Sequence, residues 1–223
     1  MDYTWSYSSI GLFNQCPHKY YRIRIKKDVA DSQSEAMLYG NDMHKAAELY
    51  LRDDEPLPEK FAFVQGLLDT LKDFQGEKLC EYRMGLTRAL EPCDYFAKDV
   101  WWRGIADLII LQGNTARVLD YKTGKSSKNA DTKQLELLSL AVFKHFPQVQ
   151  KVKGALLFVV ANDFVKGDYI VEQSPAYWKH WLADTARLEK AFEVNVWNPR
   201  PNFTCNGWCP VVDCSHNRTK RRW

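Results

Sequence analysis

Two stretches decide the fold: Trp101-Trp102-Arg103-Gly104-Ile105-Ala106-Asp107-Leu108-Ile109-Ile110 and Ala116-Arg117-Val118-Leu119-Asp120-Tyr121-Lys122-Thr123-Gly124. Each is a short, largely apolar run of strand length, and each carries an acid where a strand would prefer none. Gly113-Asn114 lies between them, so 103–111 and 115–121 are predicted to pair as a hairpin. A carboxylate inside an apolar strand, as at Asp107, is costly unless it is paired or bound to a cation. Asp120 and Lys122 are two apart, which puts both on one face of the strand and Tyr121 on the other. In the hairpin Asp107 and Asp120 can approach one another. Two close carboxylates repel, and one protonates unless a divalent cation sits between them. Carboxylates with water and a backbone carbonyl suit Mg²⁺ or Mn²⁺.

Working outward, helical spacing recurs at Met37, Leu38, Met43, Ala46, Ala47 and Tyr50, and again at Phe61, Val64, Leu67, Leu68 and Leu71. This predicts helices over 34–51 and 60–74, with Gly76 as a stop signal. A short helix is expected from Ser8 or Ser9 to Cys16, where Pro17 ends it, and Tyr20–Lys26 could form a second one. Strands are expected at 78–84, 94–101, 152–160 and about 167–171, and helices at 131–146 and 174–195. From Trp197 the composition turns to Pro, Asn, Cys and basic residues, a tail too short to fold without a staple. The fold class is α/β: a small mixed central sheet flanked by helices.

The 223 residues, 45% hydrophobic and 26% charged, fit a single domain over 1–223 with a core at about 34–195 and exclude collagen, coiled coil and bulk disorder. The net charge of +3, from 31 basic and 28 acidic residues, does not by itself announce a nucleic-acid binder. No apolar run approaches the roughly 20 residues of a membrane helix, and the N-terminus lacks a secretory pattern. The expectation is therefore a cytoplasmic protein with no membrane partner. Thr123-Gly124-Lys125-Ser126 lacks the upstream Gly of an ATP-binding loop, because Leu119 stands there.

Four elements stand in order: Gly40-x-x-x-His44, Gly104-x-x-Asp107, Asp120-Tyr121-Lys122 and Gln134. Gly40 and His44 share a helix face, the small residue allowing close packing and the imidazole reaching beyond it. Together these motifs resemble those of the RecB-type PD-(D/E)XK nucleases, over a span from about Ser8 to Cys214. The resemblance implies a restriction-endonuclease-like core and hydrolysis of phosphodiester bonds, with exonuclease action on DNA ends or single strands in recombination, repair or phage DNA metabolism. It implies Asp107 and Asp120 as metal-binding acids, Lys122 as the catalytic lysine and His44 as the additional ligand of this branch, with the Tyr121 carbonyl completing the Mg²⁺ or Mn²⁺ set. Ala106 stands where the name-giving Pro would be, Asp120 replaces the more usual Glu, and Leu138 stands where a Tyr usually follows the glutamine. Gln134 and Glu81, the latter on the first strand, are accessory candidates. The rival readings are a nucleic-acid-binding module without cleavage and a zinc-stapled adaptor.

Of the six cysteines, Cys205, Cys209 and Cys214 crowd together near the C-terminus. In a reducing compartment this reads as metal binding. Either Cys16 or His216 could be the fourth ligand, and zinc suits such a set. Cys80 and Cys93 read as small core residues. Helicase-associated AddB nucleases, the nucleases of CRISPR adaptation and some phage exonucleases resemble this chain, and the first two carry an iron–sulfur cluster. One cysteine precedes their nuclease core and three follow it. That resemblance implies a 4Fe–4S cluster on Cys16, Cys205, Cys209 and Cys214, stapling the chain ends. Basic residues at Tyr20–Lys27, Lys125, Lys128 and the tail from His216 to Trp223 are candidate DNA contacts, and recombination or replication proteins are candidate partners. One of Trp101 and Trp102 is expected to be exposed or covered by a helix.

Overall fold

The computed structural model describes residues 3–31 and 34–218. Along the chain these form α1 (Tyr7–Gln15), α2 (Pro17–Tyr20), α3 (Glu35–Asp53), α4 (Gln65–Asp73), β1 (Glu77–Leu86), β2 (Pro92–Cys93), β3 (Trp102–Gln112), β4 (Thr115–Lys122), α5 (Lys133–His145), β5 (Lys151–Phe158), β6 (Asp163–Ile170) and α6 (Ser174–Val194). The chain divides into two compact units, Met1–Thr4 with Ser34–Trp178, and Trp5–Gln33 with Lys179–Trp223. No helix among the described residues is long and apolar enough to cross a membrane.

The first unit is a mixed sheet of order β2-β1-β3-β4-β5-β6. β3 and β4 form the expected hairpin, in register from Leu108↔Leu119 to Gln112↔Thr115, with Gly113 at φ +59° in the turn. β4 and β5 are parallel, and parallel neighbours need a crossover, which α5 supplies. Leu135, Leu137, Leu138, Leu140, Ala141, Val142 and Phe143 of α5 are all buried, as in a helix enclosed on most sides. On the other face, α3 and α4 bring Met43, Ala46, Ala47, Leu68 and Leu71 onto Leu108, Ile110, Leu119, Tyr121 and Leu157. Ser34 caps α3 by accepting a hydrogen bond from Met37 N, and Asp54 ends it in the left-handed conformation.

The region 94–101 is not a strand. Asp94 accepts a hydrogen bond from Phe96 N at 2.7 Å, which turns the backbone, and β2 is confined to Pro92–Cys93. Trp101 and Trp102 are both buried, at 6% and 1% exposure. Trp101 precedes β3 and so escapes strand alternation; its indole donates to Tyr3 Oη at 3.3 Å. β6 begins at Asp163, earlier than the sequence suggested, because its alternating charges are tolerated on an edge strand.

In the second unit Ser6, not Ser8 or Ser9, caps α1. Its hydroxyl accepts from Ser9 N, and the Ser9 hydroxyl accepts from Ser6 N. Cys16 is extended between α1 and α2, with Pro17 opening α2. Tyr21–Ile25 follows as a π-helical turn. Trp197 stacks on Tyr20 and Tyr21 and meets Phe192 edge-on. The basic tail from Thr219 to Trp223 lies outside the described residues.

Candidate active site

β1, β3 and β4 each contribute one acid to a single row. The β3–β4 ladder stops at Leu108↔Leu119, so the next opposed pair in the same register is Asp107 and Asp120. The β1–β3 ladder passes from Cys80↔Leu108 to Tyr82↔Ala106, which sets Glu81 opposite Asp107. Past Leu108 the β3–β4 hydrogen bonding is handed to a side chain: Asp107 Oδ2 accepts the Tyr121 amide at 2.7 Å.

Glu81 departs from strand geometry at this row while β1 keeps its register with β3. Its φ is +49°, a left-handed backbone that is costly for a residue with a Cβ. The consequence is visible on either side. Cys80 packs with the α3–α4 core, whereas Tyr82, only two residues on, rests against the rings of His145 and Phe146. The Glu81 carboxyl reaches towards His44 and Asp107, and one potential ligand atom from each of these three lies within 4.8 Å of the others.

His44 arrives from α3. A Cβ on Gly40, one turn earlier, would lie 3.4 Å from Thr123 Oγ1, so the glycine brings the helix against the end of β4. The imidazole Nε2 donates to the Tyr121 carbonyl at 3.0 Å, and Nδ1 lies 3.2 Å from Asp107 Oδ1. With an acceptor at each nitrogen the ring favours the imidazolium. Burial lowers its pKa, but the hydrogen bond and charge of Asp107, with Asp120 and Glu81, outweigh this and leave it raised.

On the α5 side, Lys122 Nζ donates to Gln134 Oε1 at 2.8 Å, and Gln134 Nε2 donates to Asp120 Oδ1 at 2.6 Å. Asp120 Oδ2 lies 2.6 Å from the Lys122 ammonium and forms an ion pair with it. Asp120 and Lys122 thus share one face, as period two requires, with Tyr121 in the core opposite.

The three acids stand in one another's fields. Burial, then the charge of Asp107, pushes the Glu81 carboxyl up to about 7. The same two causes push Asp120 up to about 6, against the opposing pull of Lys122. Buried, crowded carboxylates of this kind, which hold their protons more tightly than exposed ones, fit a hard divalent cation with an imidazole beside it. Lys125 and Lys128 are exposed on the loop that follows Lys122.

The sequence signature of the PD-(D/E)XK nuclease superfamily matches residues 4–214. The chain belongs to that superfamily. This PD-(D/E)XK protein is therefore a nuclease, and its sheet with flanking helices is the restriction-endonuclease-like fold of the group. Among solved structures it is similar to SSO0001, at 16% identity and a TM-score of 0.52, over 96% of this chain and 87% of that one. It is equally similar in fold to a protein of Eubacterium rectale with a provisional exonuclease designation, at 12% identity and a TM-score of 0.52, over 98% of this chain and 87% of that one. No curated protein shows significant sequence similarity to the chain.

In the second unit, Cys16, Cys205, Cys209 and Cys214 line one pocket with His18, Lys19 and His216. Cys16 Sγ accepts from Arg200 N at 3.4 Å, and burial raises the Cys209 thiol pKa. Among the described residues, the set that brings three or more potential ligand atoms within 4.8 Å is His44, Glu81 and Asp107, not the thiols. Two features of the candidate site were hidden from sequence reading: the Tyr121 amide held by Asp107, and the left-handed backbone of Glu81 inside β1. A left-handed non-glycine inside a strand leaves no signal in composition or spacing.

Proposed function

We propose that this chain is a Mg²⁺- or Mn²⁺-dependent deoxyribonuclease that acts as an exonuclease on DNA ends or single strands. The observation that carries the reading is the row Glu81–Asp107–Asp120 with Lys122 and Gln134 on one side and His44 on the other. Asp107, Asp120, His44 and the Tyr121 carbonyl would hold the cation, with Glu81 as a further oxygen donor. When bound, such an ion polarises the scissile phosphate and lowers the pKa of a water. The Lys122 ammonium stands at the acids, able to orient an attacking water or neutralise a phosphate oxygen. Gln134 positions both Lys122 and Asp120 through its two hydrogen bonds. Lys125 and Lys128 lie directly after Lys122 and would follow the DNA backbone.

The test is incubation with end-labelled linear DNA, single- and double-stranded, and with closed circles, in Mg²⁺, Mn²⁺ or chelator. Metal-dependent degradation of linear but not circular substrate is expected, lost in Asp107→Asn and Asp120→Asn. Full metal-dependent activity in Asp120→Ala would overturn the assignment.

The four cysteines in one pocket support a metal staple in the second unit. A single zinc, with Zn–S near 2.3 Å, draws thiolates to about 3.8 Å of one another. We read the site as a 4Fe–4S cluster on Cys16, Cys205, Cys209 and Cys214, with zinc as the rival; His216 lines the same pocket and is the alternative fourth ligand. Broad visible absorption after anaerobic purification, lost in Cys16→Ser and kept in His216→Ala, is the expected result. A colourless protein with stoichiometric zinc refutes it.

A further inference from the structure

The β1–β3 hairpin that carries Glu81 and Asp107 also carries a feature the site does not use. β2 and the turn after it lie in the connection between β1 and β3, with β2 paired along the outer edge of β1. They are pinned by Trp101 N to Leu86 O at 2.8 Å and by the Gly85↔Cys93 pair. Gly85 permits this closeness, since a Cβ there would lie 2.8 Å from Asp94 O and 3.1 Å from Cys93 Sγ. The Asp94 side chain caps Phe96 N, and the turn presents Tyr95 and Phe96 edge to face at 4.9 Å. Phe96 is 68% exposed. Beneath the rings lie two arginines. The Arg83 guanidinium is 5.8 Å from the Tyr95 ring centre and 5.6 Å from that of Phe96, and Arg103 is 5.2 Å from Tyr95. Among the described residues neither guanidinium is paired with a carboxylate.

An outward-facing phenyl ring on a fixed turn, backed by cations that keep their hydrogen-bonding edges free, matches what a nucleic-acid strand asks of a surface. Bases stack on the ring and phosphates meet the arginines. Placement agrees. Arg103 and Asp107 are four residues apart on β3, about 13 Å of strand rise. That is on the order of two nucleotides from the row of acids. An aliphatic partner surface would leave the guanidiniums without acceptors, so the chemistry favours a strand with phosphates over a protein helix.

We propose that Phe96, backed by Tyr95, Arg83 and Arg103, is the platform on which a single strand of the substrate stacks beside the cleavage site. The proposal rests on the nuclease reading above and adds the surface that holds the strand.

The probe is a single-stranded oligodeoxythymidine of about 12 residues with one 2-aminopurine near its end, bound to the whole chain in chelator so that nothing is cleaved. Binding is expected with quenched 2-aminopurine fluorescence. Phe96→Ala should weaken it about 5- to 100-fold and relieve the quench, while Phe96→Trp restores both. Arg83→Gln with Arg103→Gln should lower the slope of log K against log salt by about 0.7 for each phosphate no longer neutralised. With Phe96 exposed, an unchanged thermal melt checks the fold. In Mg²⁺ the same variants should raise KM more than they lower kcat. Binding within twofold of the parent, with the quench intact, overturns the platform while leaving metal-dependent cleavage standing. A parent chain that neither binds the probe nor cleaves DNA in any metal overturns the nuclease reading and the platform with it.

Discussion

The metal-free protein should lose stability as pH rises from 5 to 8, the reverse of what ordinary surface carboxylates do. The cause is the row of acids. An unfolded chain releases the protons of Asp120 and Glu81 near pH 4, whereas the folded site keeps them to about 6 on Asp120 and about 7 on Glu81. Between those limits the native state binds more protons than the unfolded one, so each step up in pH favours unfolding. The contribution is complete below the unfolded pKa values and is gone once pH has passed the folded ones. Asp120 is 3% exposed, and between pH 5 and 8 it costs about 1.4 kcal/mol. Glu81 is only partly buried, so solvent screening reduces its share between pH 5 and 7 to about 1 kcal/mol. The raised His44 acts in the same direction, its stabilising charge fading as pH climbs. Acids held low by arginine, such as Asp28 and Asp213 beside Arg22, respond only at lower pH and leave this window alone. The total is about 2–3 kcal/mol, or about 5–10 °C in Tm for a chain of this size. Urea titrations in chelator at pH 5, 6, 7 and 8 measure it. The double variant Glu81→Gln with Asp120→Asn should be flatter by about that amount. Saturating Mn²⁺ at pH 8 should restore about 2–3 kcal/mol to the parent at roughly 100 times Kd, and nothing to the variant. A parent equally stable at pH 5 and 8, or a double variant with an undiminished slope, would refute the crowding of these acids.

Three further outcomes follow from individual side chains. If the proposed role of Lys122 towards the substrate holds, Lys122→Met should reduce cleavage about 10²- to 10⁴-fold while metal binding, followed by Mn²⁺ electron paramagnetic resonance, persists. Gln134→Ala removes the groups that bond Lys122 and Asp120; a smaller loss, about 10- to 100-fold in kcat with KM little changed, is expected in steady-state kinetics. Gly104→Ala would put a methyl group 2.7 Å from the Trp102 ring and 3.3 Å from Leu138; urea denaturation should show a loss of about 1–3 kcal/mol from overpacking.

How much of the fold and the site was legible in the sequence depends on whether a feature is local. The β3–β4 hairpin was legible because Gly113-Asn114 marks the turn and period two then fixes which side chains share a face. Asp107 announced itself as a charge in an apolar run, and His44 through the glycine one turn before it. α5 and the parallel strand after it followed from two long apolar segments. The turn at 94–99 was misread because Tyr95 and Phe96 look like strand residues, and only Asp94 closing on Phe96 N shows otherwise. Trp101 misled for a related reason: alternation applies only inside a ladder, and Trp101 stands just before one. Glu81 was legible as an acid but not as a left-handed residue inside β1, since composition and spacing carry no signal for such a backbone at a non-glycine.

These misreadings and the site have a common origin. At Glu81 and Asp107 the sheet gives up the features that make sheets predictable. The β3–β4 ladder stops, a side chain takes a backbone amide, one residue sits in a strained conformation, and three acids share a small space. Each carries a cost in the metal-free protein: strain of order 1–2 kcal/mol at Glu81, protonation of Glu81 and Asp120, and a lysine drawn onto Asp120 instead of a substrate. Hydrophobic packing of α3, α4 and α5 on either side of the sheet holds the acids together despite their repulsion. A divalent cation between them would remove the repulsion and free Lys122 from its role as counter-charge. Membership of the superfamily makes the chain a nuclease; the local cost at the acids is what points to an ion, and its effects are measurable before any substrate is added. Stability that falls with pH in chelator and recovers with Mn²⁺ should therefore appear in the protein alone. Lys122→Met should keep that recovery while losing cleavage, which separates the group that answers to the metal from the group that answers to the phosphate.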